Sequence, residues 1–407
     1  MRRVRLAALR PGMRLGMPVY GSRGLLLREG VELGPAHIER LERARVEAVY
    51  IDDPLFADIP MPADVSWEVK FSLLSACSAL WEYFRTLAPR DTPGGTGGGA
   101  VRGGAGGGGA VQGGAGVAGG TGTADLTGGA AQGGSGGAGD AGQAVRWPVP
   151  YERLMETASA LEVELRQVPA WAVQMVGGGD EDGVVAHAVN TALMAASLAR
   201  QAGLGGYVRE LAVAGLLHDM GLALLPARLH SEPDAVEEGD RPLLHAHPLL
   251  GVRLMRSQPV SAYVQAAVAQ HHERFDGSGY PQRLSGSRLA PHAQLVAVAD
   301  TFARMVQAGV SRNEAWEYVV SGAGTEFDHR LVQAFSQGIP PYPLGSTVRL
   351  STGEEGVVVG LQTGLLTRPR VRLLRDAAGR PVSEPVTYDL AEGPHRNRVI
   401  VGEAVEA

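Results

Sequence analysis

The chain has 407 residues, a formal net charge of −6 and 44% hydrophobic residues. That length accommodates two or three domains, and the charge balance excludes a protein that depends on a global basic field to hold nucleic acid or an anionic membrane surface. One cysteine, Cys77, excludes a disulfide framework and points to a reducing compartment.

No apolar run reaches the roughly 18 residues of a membrane span, and Arg10-Pro11-Gly12 interrupts the basic N-terminus before a leader-like core can form. The expected location is therefore the cytoplasm. Cys77 lies in the apolar run Phe71 to Cys77 and reads as a small buried residue rather than a reactive thiol.

Residues 1–60 read as a small α+β module. Val19 to Leu27 has the pattern of a hairpin with a glycine turn. Gly34-Pro35 opens an amphipathic helix with Ile38, Leu41 and Ala44 at helical spacing, and Val46 to Ile51 reads as a closing strand. Residues 61–90 contain a helix, 64–88, read as a connector. Over residues 91–147 the composition changes: 25 of the 57 glycines lie between Gly94 and Gly142, with almost no large apolar side chain. Such a segment cannot offset the entropy of ordering, so it reads as a flexible linker.

Residues 148–338 carry helical periodicity. Leu154, Ala158, Leu161 and Leu165 share one face, and Ala186 to Ala199, Glu210 to Leu217, Val260 to His271 and Pro291 to Val306 follow as helices around one core. Residues 339–407 change period. Thr347 to Leu350, Gly356 to Val359, Arg370 to Leu373 and Val399 to Val401 are short β-type runs separated by glycine and proline, the pattern of a small β-barrel or sheet.

Ionisable residues concentrate in the helical part. His187, His218-Asp219, His271-His272-Glu273 and Asp300 lie inside or at the end of strongly apolar helices, with His245 and His247 in a segment of their own. Burying any one of them costs free energy unless it is paired or metal-bound. A lone histidine of this kind is most often a hydrogen-bonded core residue; a set on separate helices, without thiolates, points instead to iron, manganese or zinc held by imidazole and carboxylate. An aspartate next to a histidine can bridge two ions while its neighbour caps one, and bridged ions make hydroxide available near neutral pH.

These motifs resemble the HD-GYP family of HD-domain phosphohydrolases. His218-Asp219 matches the HD signature, and His271-His272-Glu273-Arg274-Phe275-Asp276-Gly277-Ser278-Gly279-Tyr280-Pro281 is similar to the defining block of the subfamily almost residue for residue. His187, His247-Pro248 and Asp300 fall in the order of the remaining ligands, and Gly324 to Asp328 matches the closing motif. The resemblance covers about residues 180–335; the modules on either side also resemble companions of the family. It implies an all-α HD-type domain flanked by the small α+β and β modules. It further implies hydrolysis of the bacterial messenger cyclic di-GMP to pGpG or GMP, in signalling that can involve protein partners but neither a nucleic-acid polymer nor a membrane. Two or three divalent ions, iron or manganese, are implied on His187, His218, Asp219, His247, His271, His272 and Asp300. Asp219 and His218 are the implied catalytic pair, with Asp219 bridging, and Gly279, Tyr280, Pro281 and Arg312 the implied substrate contacts. An extra carboxylate ligand would be Asp182 or Glu181, while His245 matches no ligand position, and His230 and His292 read as ordinary polar residues.

Three positions depart from the pattern. Leu222 stands where the family has a lysine that contacts substrate phosphate, Ala303 where it has a second aspartate, and Gly309 where it has an arginine, leaving Arg312 alone in that segment. Two readings follow: an active phosphodiesterase with Arg228, Arg304 or Arg312 supplying the missing charge, or a member that holds metal and binds a nucleotide or protein without turnover. Hydrolysis of a different phosphate ester is a third.

Overall fold

The computed structural model describes residues 1–59, 64–88, 146–178, 183–230 and 236–404. The glycine-rich tract expected as a linker lies outside the described residues, and so do Glu181 and Asp182.

In the N-terminal module, strand β1 (Arg2–Arg5) is followed by the hairpin β2 (Val19–Gly21) and β3 (Gly24–Leu27), helix α1 (Pro35–Arg43) and strand β4 (Ala48–Ile51). β1 pairs antiparallel with β4, Val4 opposite Val49, and the hairpin forms its own two-stranded ribbon. Pro35 suits the first turn of α1 because its missing N–H would have no helical partner there. Val4, Leu15, Leu33, Leu41, Val49 and Ile51 form the module's core.

The helical domain begins earlier than the sequence suggests. Helix α2 (Trp67–Thr86), capped by the Ser66 hydroxyl, presents Leu73, Leu80 and Phe84 to the same core as Leu154 and Leu161 of α3 (Tyr151–Leu165). The Ser66 N–H also donates to Glu164 of α3 at 2.6 Å. The segment read as a connector is thus a helix of the domain itself, joined to it by buried leucine and phenylalanine side chains. Cys77 lies in this core, where burial pushes its thiol up to about 12.

Next comes α4 (Gly183–Leu198), buried around almost its whole circumference from Val185 to Leu198, as its uninterrupted run of Ala, Val, Leu and Met requires. α5 (Val208–Leu217) packs on it through small residues: a Cβ on Gly215 would stand 2.5 Å from the Ala192 backbone. Then follow α6 (Arg241–Leu244), α7 (His247–Met255), α8 (Ala262–Gln270), α9 (Pro291–Gln307), α10 (Arg312–Ser321) and α11 (His329–Gly338). Both α4 and α9 run through the centre, so a polar residue on either is enclosed by the domain.

The C-terminal module is an antiparallel sheet of β5 (Thr347–Leu350), β6 (Glu355–Gly360), β7 (Arg370–Arg375), β8 (Thr387–Asp389) and β9 (Ile400–Glu403), in the order β8-β7-β6-β5-β9. Val348, Leu350, Val358 and Val371 fill its inner face. It touches the N-terminal module: Arg372 forms a two-pronged pair with Asp58 at 2.7 Å, and Phe56 and Ile59 pack on Val357. Among the described residues, no helix is long and apolar enough to cross a membrane.

If α2 belongs to the core, Leu73→Ala should lower the unfolding free energy by about 2–5 kcal/mol, the range for a buried leucine truncation. Equilibrium denaturation of the metal-loaded protein measures it, and a loss below about 1 kcal/mol, as for a surface site, would place α2 outside the core.

Candidate metal centre

The His218-Asp219 pair owes its geometry to the end of α5. The helix stops at Leu217, His218 keeps helical dihedrals, and Asp219 turns out of the helix at φ −98°, ψ 4°, opening a short 3-10 segment from Met220. This break lets two sequence neighbours address one point instead of diverging around a helix. Gly221 is part of the same device, since a Cβ there would lie 2.0 Å from the His247 carbonyl oxygen. Only glycine lets the segment after Asp219 lie against the start of α7.

All seven ligand candidates meet around Asp219, whose two oxygens divide them. Oδ2 faces His218 Nε2 at 3.2 Å and His187 Nε2 at 3.8 Å; Oδ1 faces His247 Nε2 at 3.2 Å and His271 Nε2 at 3.5 Å. The first group is completed by Asp300, 2.7 Å from His187 and 3.6 Å from His218. The second is completed by His272, whose ligand atom lies with those of Asp219, His247 and His271 within 4.8 Å of one another. His187 comes from α4, Asp300 from α9 and His247 from α7, so no single element holds the cluster.

The imidazoles are aimed. The Nδ1–H groups of His218, His247 and His271 donate to the carbonyls of Gly215, Leu244 and Val268, three residues back in each case, at 2.7, 2.7 and 2.8 Å. This aims each Nε2 inward, the arrangement usual for metal-ligating histidine. His218 Nε2 and Asp219 Oδ1 are buried without a properly angled hydrogen-bond partner, despite neighbours at about hydrogen-bond distance. Ligand atoms crowded together in this way fit an ion between them, and the His/Asp set is one able to bind divalent metal.

The electrostatics agree. Burial would raise the Asp219 carboxyl, but His218 and Arg304 hold it well below the usual carboxylate range, and Asp300 is held down in the same way by Arg304 and His187. Burial lowers His271 to about 4 and holds His272 well below its ordinary value, leaving both neutral and ready to coordinate. His218 goes the other way: burial alone would lower it, but Asp219 and Asp300 raise it to about 10. Arg304, one turn beyond Asp300 on α9, donates to Asp300 at 2.8 Å and Asp219 at 3.1 Å. A guanidinium and an imidazole thus share in neutralising the two buried carboxylates.

A cavity of about 970 Å³ opens onto His187 and Asp219, bounded by Leu222 and Arg304 and, from the N-terminal module, by Arg5, Glu42 and Arg45. That module carries no ligand, yet it forms a wall of the site. Nothing local in its sequence signals this, because the contact joins segments more than a hundred residues apart. Leu222 stands at the cavity wall and is 2% exposed, so no cation occupies the family lysine position.

Several expected contacts lie elsewhere. Arg312, expected at substrate, is buried over the Phe302 ring and shares Glu47 with Arg3, away from the walls of the metal cavity; the first turn of α10 carries it towards the N-terminal module. Arg228 is an exposed residue paired with Asp240 at 3.0 Å. Of the three arginines offered as the missing charge, the structure brings Arg304 to the carboxylates. Gly279, Tyr280 and Pro281 lie in the loop that follows His271-His272. A Cβ on Gly279 would meet Arg274 N at 2.4 Å, so its glycine serves loop closure. Tyr280 stacks between His245 and His272, with ring centroids 3.8 and 4.7 Å away. His245 therefore steadies Tyr280, and Tyr280 steadies the ligand His272.

Glu273, which the sequence reading left without a role, is buried and accepts from the N–H groups of Gln282 and Leu284 at 2.6 and 2.9 Å, tying the loop to the end of α8. Phe275 and Asp276 then donate to the carbonyls of Glu326 and Thr325, so the two glycine-containing motifs support each other. His230 Nε2–H donates to the Leu225 carbonyl, 2.8 Å away, and His292 packs on Tyr207; neither joins the cluster.

Residues 180–331 match the family described as "HD domain", and residues 347–402 the one described as "KOW domain associated with HD domain". The chain is 33% identical over 229 residues to a cyclic di-GMP phosphodiesterase of Pseudomonas aeruginosa, covering 54% of this chain and 55% of that protein. It is 36% identical over 154 residues to the cyclic di-GMP phosphodiesterase response regulator RpfG of Xanthomonas campestris, covering 36% and 40%. It therefore spans about half the length of the curated relatives it matches. A 3′3′-cGAMP-specific phosphodiesterase of Vibrio cholerae is 27% identical over 157 residues, covering 36% and 30%. Among solved structures, an HDG"Y"P protein from Bdellovibrio bacteriovorus aligns at TM-score 0.45 and 18% identity, over 82% of this chain and 97% of that one.

The raised pKa of His218 gives a pH signature. Its protonated form stabilises the ion-free protein fully below its unfolded value of 6.5, and that contribution is lost as pH rises through about 10. Metal needs the neutral ring, so loading at pH 7 should release about one proton from this site, and apparent affinity should climb with pH across that window. Calorimetric titration with Mn²⁺ in two buffers of different ionisation enthalpy measures the release. A value near zero in wild type, or an unchanged value in His218→Ala, would refute the assignment.

Proposed function

We propose, from the membership of the helical domain in the HD-GYP family, that this chain is a metal-dependent phosphodiesterase that hydrolyses cyclic di-GMP to pGpG or GMP. The observation that carries the reading is the division of the ligands by the two Asp219 oxygens, one group on each, which is the geometry of a carboxylate bridging two ions. The similarity of residues 180–331 to HD domains and to curated cyclic di-GMP phosphodiesterases supports the substrate class. Iron or manganese suits the all-imidazole and carboxylate set, which contains no thiolate. The buried Cys77 thiol accords with a cytoplasmic location.

His187, His218 and Asp300 would hold one ion and His247, His271 and His272 the other, with Asp219 shared. Ions bound there supply hydroxide near neutral pH and neutralise charge on phosphoryl oxygen. The chain's own residues do the rest. The three backbone-anchored imidazoles keep their Nε2 atoms fixed, so little reorganisation accompanies the reaction. Tyr280, clamped between His245 and His272, holds the second group in register. Arg304 is the phosphate-contacting cation in place of the absent lysine. Once ions take over the charges of Asp219 and Asp300, its guanidinium, already at the cavity wall, is free to turn to substrate oxygen, and its fork suits two-point phosphate contact. Leu222 contributes apolar wall at the same place. The retention of the complete ligand set together with a cation beside it favours turnover over the reading of a member that only binds.

Purified protein loaded anaerobically with iron or with manganese should contain at least two ions per chain and cleave cyclic di-GMP in preference to 3′3′-cGAMP. Asp219→Ala should lose both metal and activity. Arg304→Gln should keep its metal and lose roughly tenfold or more in kcat/KM, a tenfold loss corresponding to about 1.4 kcal/mol of transition-state stabilisation. Wild type with full metal and no turnover of either dinucleotide would overturn the enzyme reading, and full activity in Arg304→Gln would overturn the role of that side chain.

A further inference from the structure

The wall that the N-terminal module gives to the metal cavity contains a backbone irregularity. Helix α1 ends in a doubly hydrogen-bonded turn: the Arg45 N–H donates to the Glu42 carbonyl at 2.9 Å and the Val46 N–H to the Leu41 carbonyl at 3.2 Å. This turn puts the residue after the C-cap, Ala44, in the left-handed region, a position that glycine normally fills. Here the residue is Arg45, at φ 47°. Any side chain costs free energy in that conformation, because its Cβ crowds the following carbonyl. Local folding therefore favours glycine at position 45, and what arginine adds is its side chain. That side chain borders the metal cavity together with His187, Asp219 and Arg304. It also borders a smaller cavity of about 280 Å³ where the modules meet.

The charges around it are mixed. Glu42, Glu47 and Arg5 share this wall of the metal cavity. Glu47 pairs closely with Arg3 and stands 3.8 Å from Arg312, while Glu42 is exposed to water. Arg5 is 43% exposed and pairs with Glu403 at 3.1 Å. Arg45 has interactions of its own and is likewise exposed. An exposed arginine exchanges such partners for a substrate phosphate at little cost, since surface pairs contribute little.

The inference drawn here rests on the cyclic di-GMP reading. A cyclic dinucleotide carries two phosphodiesters, and one is hydrolysed at a time. The one that reacts lies against the ligand cluster and Arg304. The other keeps its negative charge and is carried into the same cavity, whose volume of about 970 Å³ lies at the upper end for ligand pockets. We propose that Arg45 holds the phosphodiester that is not being cleaved, so that the N-terminal module is part of the substrate site. Its guanidinium offers two parallel N–H groups to phosphate oxygens. Arg45 thereby selects for substrate size, since a diester with a single phosphate gains nothing from it.

Full-length protein loaded with manganese is assayed on cyclic di-GMP and on bis(p-nitrophenyl) phosphate, a diester with one phosphate. Arg45→Gly should raise KM for cyclic di-GMP roughly tenfold, the effect of losing a charged hydrogen bond. Its kcat should stay within about twofold, because a phosphate that does not react is held equally in ground and transition states. The thermal midpoint should be unchanged or raised, since glycine adopts the left-handed conformation without a steric cost. Arg45→Lys should recover most of the lost KM. Arg43→Ala, on the same helix but lining neither cavity, should keep the wild-type KM. If no turnover is found, the Kd for cyclic di-GMP, measured by calorimetry on the same samples, replaces KM. An unchanged KM in Arg45→Gly, or an equal loss in kcat/KM on both substrates, overturns this role and leaves the enzyme reading standing. Affinity that falls in Arg45→Gly without turnover in wild type overturns the enzyme reading and leaves this role standing. No affinity of wild type for cyclic di-GMP overturns the role of Arg45.

Discussion

One buried carboxylate organises this protein. Asp219 is 2% exposed, lies at the end of an apolar helix, and would be strongly disfavoured there alone. The domain answers with imidazoles from α4, α5, α7 and α8, a second carboxylate from α9 and a guanidinium one turn further on. The tightest features of the fold serve the same point. Gly215 brings α5 onto α4, Gly221 brings the chain after Asp219 onto α7, and Gly279 folds the following motif back over His272. A side chain at any of these places would push apart the helices that carry ligands.

The buried carboxylates are compensated by the chain's own cations. Protonated His218 and Arg304 neutralise Asp219 and Asp300, so the carboxylates are not left as uncompensated buried charges. Metal held by these residues would take over that neutralisation and would require the neutral form of His218. Under the proposed function, Arg304, which pairs with both carboxylates, would be the residue to supply the phosphate contact where Leu222 offers no charge. A leucine at position 222 is compatible with this, since a second cation beside Arg304 would repel it.

The flanking modules are more than attachments. The N-terminal module closes one side of the metal cavity with Arg5, Glu42 and Arg45, and shares with the helical domain a second cavity. The C-terminal sheet is tied to it by the Arg372–Asp58 and Arg5–Glu403 pairs. Glu47 belongs to both cavities, so whatever engages the Arg3–Glu47–Arg312 cluster touches a wall of the metal site.

Much of this was legible in the sequence. Periodicity placed α3, α4, α5, α8 and α9 and most strands of the two flanking modules within a few residues, because burial on one face repeats at fixed intervals, but it did not reveal α6, α7, α10, α11, β1 or β8. The ligands were legible because His218-Asp219 and His271-His272 sit in short local motifs, and because ionisable groups in runs such as that around Asp300 have few inexpensive alternatives to metal. Tertiary structure alone decided the directions and the long-range partners. It divided the ligands between the two oxygens of Asp219, brought Arg304 to the carboxylates, turned Arg312 towards Glu47, and drew α2 into the core. A side chain's residue type and helical position are local properties. Which cavity it faces depends on how helices pack, and that is set by contacts between residues far apart in the chain, such as Gly221 with His247 or Glu47 with Arg312.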